Sequence, residues 1–366
     1  GKRGALGHGS YLGIGGFIVA RLWRRRKEGS RKSRRFLGLS PLPCAPGPRK
    51  VAADFTGWML ADMTSPLSRL LAAGLLFLGG CTQERPAVAP APPPAAVQTG
   101  PALWEVKDAD TTIYLFGTVH VLKPDIHWFD GGIKRAFNRS DELVVEIVEP
   151  DNPGALASIM AGKAMAHDGI KLSDRLEPPA RAQYQAAMAA NGLPWQAFEG
   201  FNPWRAGMAL SVAPLDRLGY KAELGAEKTL MASAKTQGKR IEPLETVEQQ
   251  LDFFATLPMK QQVAFLTSTV DGLTDMEGQF ASLVRHWQRG EPDKLAKEMN
   301  DSLEATPELA QLLLIGRNAN WAKWIKARLD RPGTVFVAVG AGHLAGAGSV
   351  QDQLRALGVP SKRVGE

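Results

Sequence analysis

The chain has 366 residues, of which 44% are hydrophobic and 22% are charged. This balance is that of a globular protein and excludes a wholly disordered chain. The formal charge of +7 at pH 7 belongs to the head of the chain, because residues 1–62 hold 13 Lys and Arg against 3 Asp and Glu. The remaining residues are slightly acidic, so the composition gives no support for nucleic-acid binding by the body of the protein.

Residues 1–62 do not have the pattern of a folded domain. They contain a dense basic cluster between Arg24 and Arg35 and a Pro/Gly-rich stretch between Pro41 and Pro48, and no helical or strand period persists. We interpret this segment as disordered, or as lying upstream of the natural start. Two alternatives stay open: a basic arm for nucleic acid or membrane, and a loose twin-arginine signal at Arg34-Arg35.

A second segment, residues 63–80, has the pattern of a signal peptide. Arg69 provides a short positive region, and Leu70–Leu78 is an apolar run too short to span a membrane. The run ends in Leu-Gly-Gly-Cys at Cys81, which resembles a bacterial lipobox; the alternative is a buried apolar helix with a chance cysteine. The resemblance implies cleavage before Cys81 and its lipidation. The Pro/Ala-rich residues 81–101 then form a tether.

Residues 102–366 are predicted to form the folded domain. Its termini are rich in strand patterns and its middle in helical ones, which indicates a mixed α/β fold. The terminal segments share a central sheet, and a large helical insertion lies between them. Strands are expected at 103–106, 113–116, 143–147, 240–241, 335–339 and 359–364, and helices at 133–138, 153–167, 178–191, 203–218, 225–235, 247–255, 260–289, 307–328 and 350–357.

One motif occurs twice at the ends of predicted strands. Gly117-Thr118-Val119-His120 follows the second strand, and Gly340-Ala341-Gly342-His343 follows the strand at 335–339. Glycine permits a tight turn, and open α/β sheets place ligands at the carboxyl edge of their strands. Glu146 ends another buried strand, where a carboxylate is costly unless it is paired or bound to a metal. We therefore expect His120, His343 and Glu146 to converge.

Two interpretations of these three side chains remain open. A single histidine after a strand is more often a capping or core residue than a ligand. Two imidazoles with a carboxylate, however, are a familiar set of metal ligands that leaves positions for water. Such a site lowers the pKa of bound water and polarises a carbonyl group.

The motifs and their context resemble the TraB/GumN family, to which Tiki-type proteases are related. The resemblance covers roughly residues 102–366 and is carried by the two G-x-x-H motifs, with weaker matches at Pro203-Trp204, Gly225-Ala226-Glu227, Leu244-Glu245-Thr246 and Arg317-Asn318.

The resemblance implies a metal-dependent hydrolase, with proteolysis claimed for Tiki-type members. His120, His343 and Glu146 are then the expected ligands of Mn, Co or Zn and also act in catalysis. Arg317 is a candidate partner for an oxyanion or a substrate carboxylate, the alternative being a surface arginine. Glu245, Glu227 and Asn318 are expected to position these residues without binding the metal themselves. Both glutamates also fit positions at the start of a helix.

Three functions are compatible with this sequence. The favoured one is an enzyme of the bacterial envelope that hydrolyses peptide or small-molecule substrates. It would be lipid-anchored through Cys81 and would face the periplasm. It would lie at the outer membrane, because the residue after the cysteine is Thr82 and not the Asp expected of an inner-membrane retention signal. The second is a lipoprotein that binds haem, metal or polysaccharide without turnover. The third is a metal-free, erythromycin-esterase-like hydrolase with His120 as the general base, oriented by Glu146.

Overall fold

The computed structural model describes residues 100–300 and 307–365. The basic segment, the signal peptide, Cys81 and most of the tether lie outside the described residues, so those predictions stay as predictions. Among the described residues, no helix combines the length and the apolar character needed to cross a bilayer.

The described residues form a six-stranded mixed sheet in the order β4-β3-β5-β2-β1-β6. Strands β4, β3, β5 and β2 are parallel to one another, whereas β1 is antiparallel to β2 and β6 is antiparallel to β1. β3 and most of β5 are buried throughout, as expected for parallel strands covered on both faces. The strands are β1 (Leu103–Lys107), β2 (Thr111–Thr118), β3 (Glu142–Val145), β4 (Arg240–Pro243), β5 (Gly333–Gly340) and β6 (Lys362–Arg363).

The register of the parallel strands aligns their carboxyl ends. Thr118 of β2 lies opposite Gly340 of β5, and Val145 of β3 lies opposite Ala338 of β5. The residues that follow these three strands therefore emerge at one edge of the sheet.

Helices occupy the segments between the strands, and most of them lie in the insertion between β3 and β5. α6 begins with a capping box, in which the Thr246 side chain accepts from the backbone N–H of Gln249 and the Gln249 side chain accepts from the N–H of Thr246. The helices are α1 (Gly131–Arg139), α2 (Pro153–Ala164), α3 (Pro178–Ala190), α4 (Pro203–Arg217), α5 (Ala226–Thr236), α6 (Val247–Ala255), α7 (Met259–Gly272), α8 (Met276–Gln288), α9 (Pro292–Asn300), α10 (Pro307–Ala310), α11 (Gly316–Arg328) and α12 (Val350–Ala356).

Apolar side chains pack against both faces of the sheet. On one face, Phe116 and Phe336 contact an aromatic group that includes Trp128, Phe137 and Trp287. On the other face, the buried residues of β2 and β5 pack against α11 and α12. This double cover fixes the sheet as a rigid base for the residues at its edge.

The predicted mixed α/β class, with terminal segments sharing one sheet around a helical insertion, is confirmed. The predicted strand 143–147 is shorter than expected: it ends at Val145, so Glu146 lies in the loop at the sheet edge. α9 was not predicted from the sequence, and the single long helical stretch expected over 260–289 is two helices, α7 and α8.

Candidate active site

Four parallel strands deliver one polar side chain each to the same edge. His120 follows β2, Glu146 follows β3, Glu245 follows β4, and His343 lies in a short 3-10 turn after β5. The backbone N–H of Glu245 donates to the carbonyl of Glu146 at 2.9 Å, which extends the β3–β4 pairing into the site. The convergence expected of His120, Glu146 and His343 is therefore present in the structure.

Gly340 forms the floor between these three side chains. A methyl group added there would lie 3.1 Å from Oε1 of Glu146, 3.6 Å from Cδ2 of His343 and 3.8 Å from Nε2 of His120. The backbone N–H of Gly340 donates to Oε1 of Glu146 at 2.6 Å. Glycine at this position thus leaves a concave space that the two imidazoles and the carboxylate surround.

His120 is held by the start of α5. The backbone N–H of Ala226 donates to the carbonyl of Val119 at 2.9 Å, which brings Glu227 against the ring. Nδ1 of His120 donates to Oε1 of Glu227, so Nε2 is the nitrogen turned toward Gly340. Burial lowers the pKa of His120, but the charge and hydrogen bond of Glu227 outweigh burial, and the pKa is raised above its usual value.

His343 has different neighbours. Nδ2 of Asn318 donates to the carbonyl of Gly348 at 2.8 Å, so its Oδ1 faces His343 and accepts from Nδ1 at 2.6 Å. Nε2 of His343 is then an acceptor, and it lies 3.0 Å from a guanidinium nitrogen of Arg317. Burial, followed by the charge of Arg317, lowers the pKa of His343 to about 3 and keeps the ring neutral.

Glu146 accepts hydrogen bonds at both of its oxygens. Oε1 accepts from Gly340, and Oε2 accepts from Arg317 at 2.6 Å and from Gln250 at 3.0 Å. Burial would raise the pKa of this carboxyl, but the charge of Arg317, together with the charge of His120 and the hydrogen bond from Gly340, outweighs burial, and the pKa is well below its usual range. Glu146 is therefore an ionised carboxylate in a buried site.

Arg317 is not the surface arginine that the sequence allowed as an alternative, because its side chain is only 11% exposed. Its Nε and one terminal nitrogen bind Glu245 at 2.8–3.1 Å, and the guanidinium also reaches Glu146 and His343. Its guanidinium carbon lies over the ring of Trp321, 4.6 Å from the centroid. Although burial opposes the charged form, the two carboxylates raise the pKa of Arg317.

Gln250 was missed by the sequence reasoning. Its side-chain amide donates to Oε2 of Glu146 and to Oε2 of Glu245, each at 3.0 Å, and it is buried. It therefore holds two carboxylates of like charge side by side. Its position on the buried face of α6, at the fourth residue after Thr246, was the available signal.

The structure also differs from one detail of the metal-free hypothesis. There, Glu146 was expected to orient His120, whereas the carboxylate on Nδ1 of His120 is Glu227. The physical reason is that α5 begins against the 117–120 turn, while Glu146 is held by Arg317, Gln250 and Gly340.

Two separate cavities are each lined by members of this group of charged residues. A small cavity of about 50 Å³ is lined by His120, Glu146, Glu227 and Gln250, among others. A larger groove of about 1000 Å³ contains Arg317 and Glu245 and is walled by Phe253, Trp321 and Trp324. Arg317 and Glu245 line only the groove, and they are hydrogen-bonded to Glu146 and Gln250, which line the small cavity.

The donor groups fit a divalent cation in their chemistry and charge. Glu146 and Glu245 share the guanidinium of Arg317, Glu227 pairs with His120, and Oε2 of Glu227 is buried without a hydrogen-bond partner. A carboxylate and an amide fix Nδ1 of the two imidazoles, an arrangement common behind metal-binding histidines. Among residues 100–300 and 307–365, however, no group of three or more His, Cys, Asp or Glu side chains is arranged so that it could hold a metal ion.

The fold and site define a class: an α/β protein with a buried charged centre at the carboxyl edge of its parallel strands. The chain belongs to the TraB/PrgY/gumN family, whose pattern it matches over residues 102–363.

Among curated proteins, it is similar to the uncharacterized protein YbaP of Escherichia coli (strain K12), with 25% identity over 70% of this chain and 93% of the relative. The YbaP protein of Shigella flexneri matches to the same extent. An uncharacterized protein of Treponema pallidum (strain Nichols) is 21% identical over 69% of this chain and 79% of the relative. No solved structure matches the chain significantly.

Proposed function

We propose that this protein is a metal-dependent hydrolase of amide or ester bonds. The observation that carries the proposal is the arrangement around Gly340. Nε2 of His120 and the carboxylate of Glu146 lie beside one concave space together with the ring of His343, and the outer nitrogen of each imidazole is already hydrogen-bonded. Such preorganisation is what a metal centre requires of its ligands.

His120, His343 and Glu146 would hold the cation, which supplies a bound water of lowered pKa and polarises the carbonyl to be attacked. Glu227 keeps the His120 ring in one orientation and one tautomer through Nδ1. Arg317 would place a positive charge beside the oxygen that becomes negative during the reaction, and Glu245 holds the guanidinium in position through two nitrogens.

A metal-free hydrolase is the second candidate, and one observation favours it. A guanidinium nitrogen of Arg317 lies 3.0 Å from Nε2 of His343, so this imidazole already has a partner. In that case His120 alone would accept the proton of the attacking water, with Glu227 behind it as the orienting carboxylate.

The groove next to Arg317 is the proposed substrate site. It combines the rings of Phe253, Trp321 and Trp324 with the side-chain amides of Gln249 and Gln261. Aromatic rings bury apolar groups, and amides bind the polar groups between them. This lining suits a peptide, or a small molecule in which apolar groups alternate with amide or ester groups.

The proposed location rests on the sequence pattern of residues 63–101. We propose that Cys81 carries a lipid and that the domain faces the periplasm on its Pro/Ala-rich tether, at the outer membrane. Labelling of cells with a radioactive fatty acid should mark the wild type but not the Cys81→Ser variant. Equal labelling of both proteins would contradict the anchor.

Metal analysis of the purified full chain separates the three functions. The metal-dependent enzyme should contain about one equivalent of Mn, Co or Zn, lose it in His120→Ala and His343→Ala, and hydrolyse members of a peptide and ester library only when loaded. Activity that a chelator leaves unchanged would support the metal-free enzyme. A bound metal, haem or polysaccharide without any turnover would support the binding lipoprotein.

A further inference from the structure

We propose that Arg317 competes with the divalent cation for the same side chains and so holds the site in a closed state until the cation enters. The inference rests on the proposed metal site. It goes beyond it by assigning to Arg317 a role that opposes metal binding.

Arg317 occupies the donor groups that a cation would use. One terminal nitrogen lies 3.0 Å from Nε2 of His343, and the other donates to Oε2 of Glu146 at 2.6 Å. With Nδ1 of His343 bound to Asn318, Nε2 has a single lone pair, which serves either the guanidinium or a metal. In this structure, therefore, one donor atom of His343 and one of Glu146 are engaged by Arg317.

The guanidinium of Arg317 and the divalent cation are alternatives because both supply positive charge to the same carboxylates. The buried carboxylates Glu146 and Glu245 need positive charge beside them, and the guanidinium supplies it in this structure. A divalent cation placed among His120, His343 and Glu146 would supply more positive charge at the same place. Two positive charges side by side repel each other. Arg317 therefore weakens metal binding as long as its guanidinium remains hydrogen-bonded to His343.

Arg317 has a second anchor that lets it move without losing all its partners. Nε and the terminal nitrogen that also donates to Glu146 bind Glu245, whereas the other terminal nitrogen faces His343. The guanidinium also contacts the rings of Trp321 and Phe253. Release from His343 and Glu146 therefore leaves Arg317 paired with Glu245 and facing the groove.

The backbone before Arg317 is unusual in a way that fits such a shift. Residues Gln311–Ile315 form a π-helical turn that leads directly into α11. Such turns are wider than an α-helix and occur frequently at functional sites. Gly316 is required there because a side chain would meet the carbonyl oxygen of Gln311 at 2.8 Å.

The test compares cation binding by the metal-stripped full chain, wild type and Arg317→Met, in calorimetric titrations with MnCl₂ and ZnCl₂. We expect Arg317→Met to bind at least one of the two cations about tenfold or more tightly than wild type, because a competing donor and a positive charge are both removed. The variant's melting temperature without metal should fall, and the added cation should raise it by more than in wild type.

Two further variants keep the test decisive. Arg355→Met removes an exposed arginine paired with Asp352 and should bind metal as wild type does, which controls for net charge. Arg317→Lys retains the charge but offers a single ammonium in place of the planar fork, and should bind with intermediate affinity. It also serves if Arg317→Met fails to fold.

The possible results separate this inference from the proposed function. Tighter binding by the Arg317 variants supports the inference. Equal or weaker binding by them, with a wild type that binds metal through His120 and His343, overturns the competing role and leaves the metal site standing. No cation binding by any of the proteins overturns both.

Discussion

The two G-x-x-H motifs show how the same short sequence acquires different chemistry. Each follows a parallel strand, and each presents an imidazole at the same edge of the sheet. The ring of His120 contacts a carboxylate and has a raised pKa, whereas the ring of His343 contacts an amide and a guanidinium and has a pKa of about 3. The motif therefore determines where the imidazole lies, and its neighbours determine its protonation.

These neighbours come from parts of the insertion far from the motifs. Glu227 is at the start of α5, and Asn318 is near the start of α11. Each prediction below changes one side of this comparison and leaves the other unchanged.

The largest effect is expected from Glu227→Gln. Removing the carboxylate from Nδ1 of His120 lowers the pKa of this ring and weakens its orientation, so turnover or metal affinity should fall about 10–100-fold. Glu149→Gln is the matched control, because Glu149 lines the same cavity but pairs with Lys228. Steady-state kinetics and metal titration of both variants would check this; an equal loss in both would remove the special role of Glu227.

A smaller effect is expected from Gly225→Ala, which acts on the backbone behind His120. The added methyl group would lie 2.3 Å from the carbonyl oxygen of His120, so the 117–120 turn and α5 must separate. We expect a loss of about 1–3 kcal/mol in the free energy of unfolding, measured in urea. Gly162→Ala in α2 meets nothing within 4 Å and should be neutral or stabilising. Equal stability of Gly225→Ala and wild type would contradict the close approach.

The smallest effect is expected from Asn318→Asp, on the His343 side. The variant keeps the acceptor for Nδ1 and adds a negative charge, which favours the protonated ring, so the pKa of His343 should rise from about 3 by one unit or more. NMR titration of the metal-free protein measures this shift. Asn320→Asp, exposed on the same helix, should shift the pKa less. Equal shifts would show that Asn318 is not the partner of Nδ1.

The sequence was sufficient to predict the sheet and the three residues around Gly340. Strand patterns of buried apolar residues placed Gly117 and Gly340 at strand ends, and parallel strands bring such ends together. Glu227, Glu245, Arg317 and Asn318 were predicted as candidates from the family resemblance, but no partner within the protein was assigned to any of them.

Their partners could not be predicted because helix packing decides them. Glu227 meets His120 only because the backbone N–H of Ala226 bonds to the carbonyl of Val119. The two residues of each of these pairs are 107 positions apart in the sequence. Gln250 carries no motif, and only the packing of α6 against the sheet edge shows that it joins two carboxylates. Patterns along the chain describe one element at a time and do not contain these contacts.

The central position of β5 has a consequence for biosynthesis. This strand separates β2 from β3, yet it follows both of them in the sequence and is synthesised after them. Until it is made, β2 and β3 each keep an unpaired edge, and unpaired edges invite association with other chains. A nascent chain that stops before residue 333 would thus lack both the strand that joins β2 to β3 and His343, so the two histidine motifs come together only after β5 has been made.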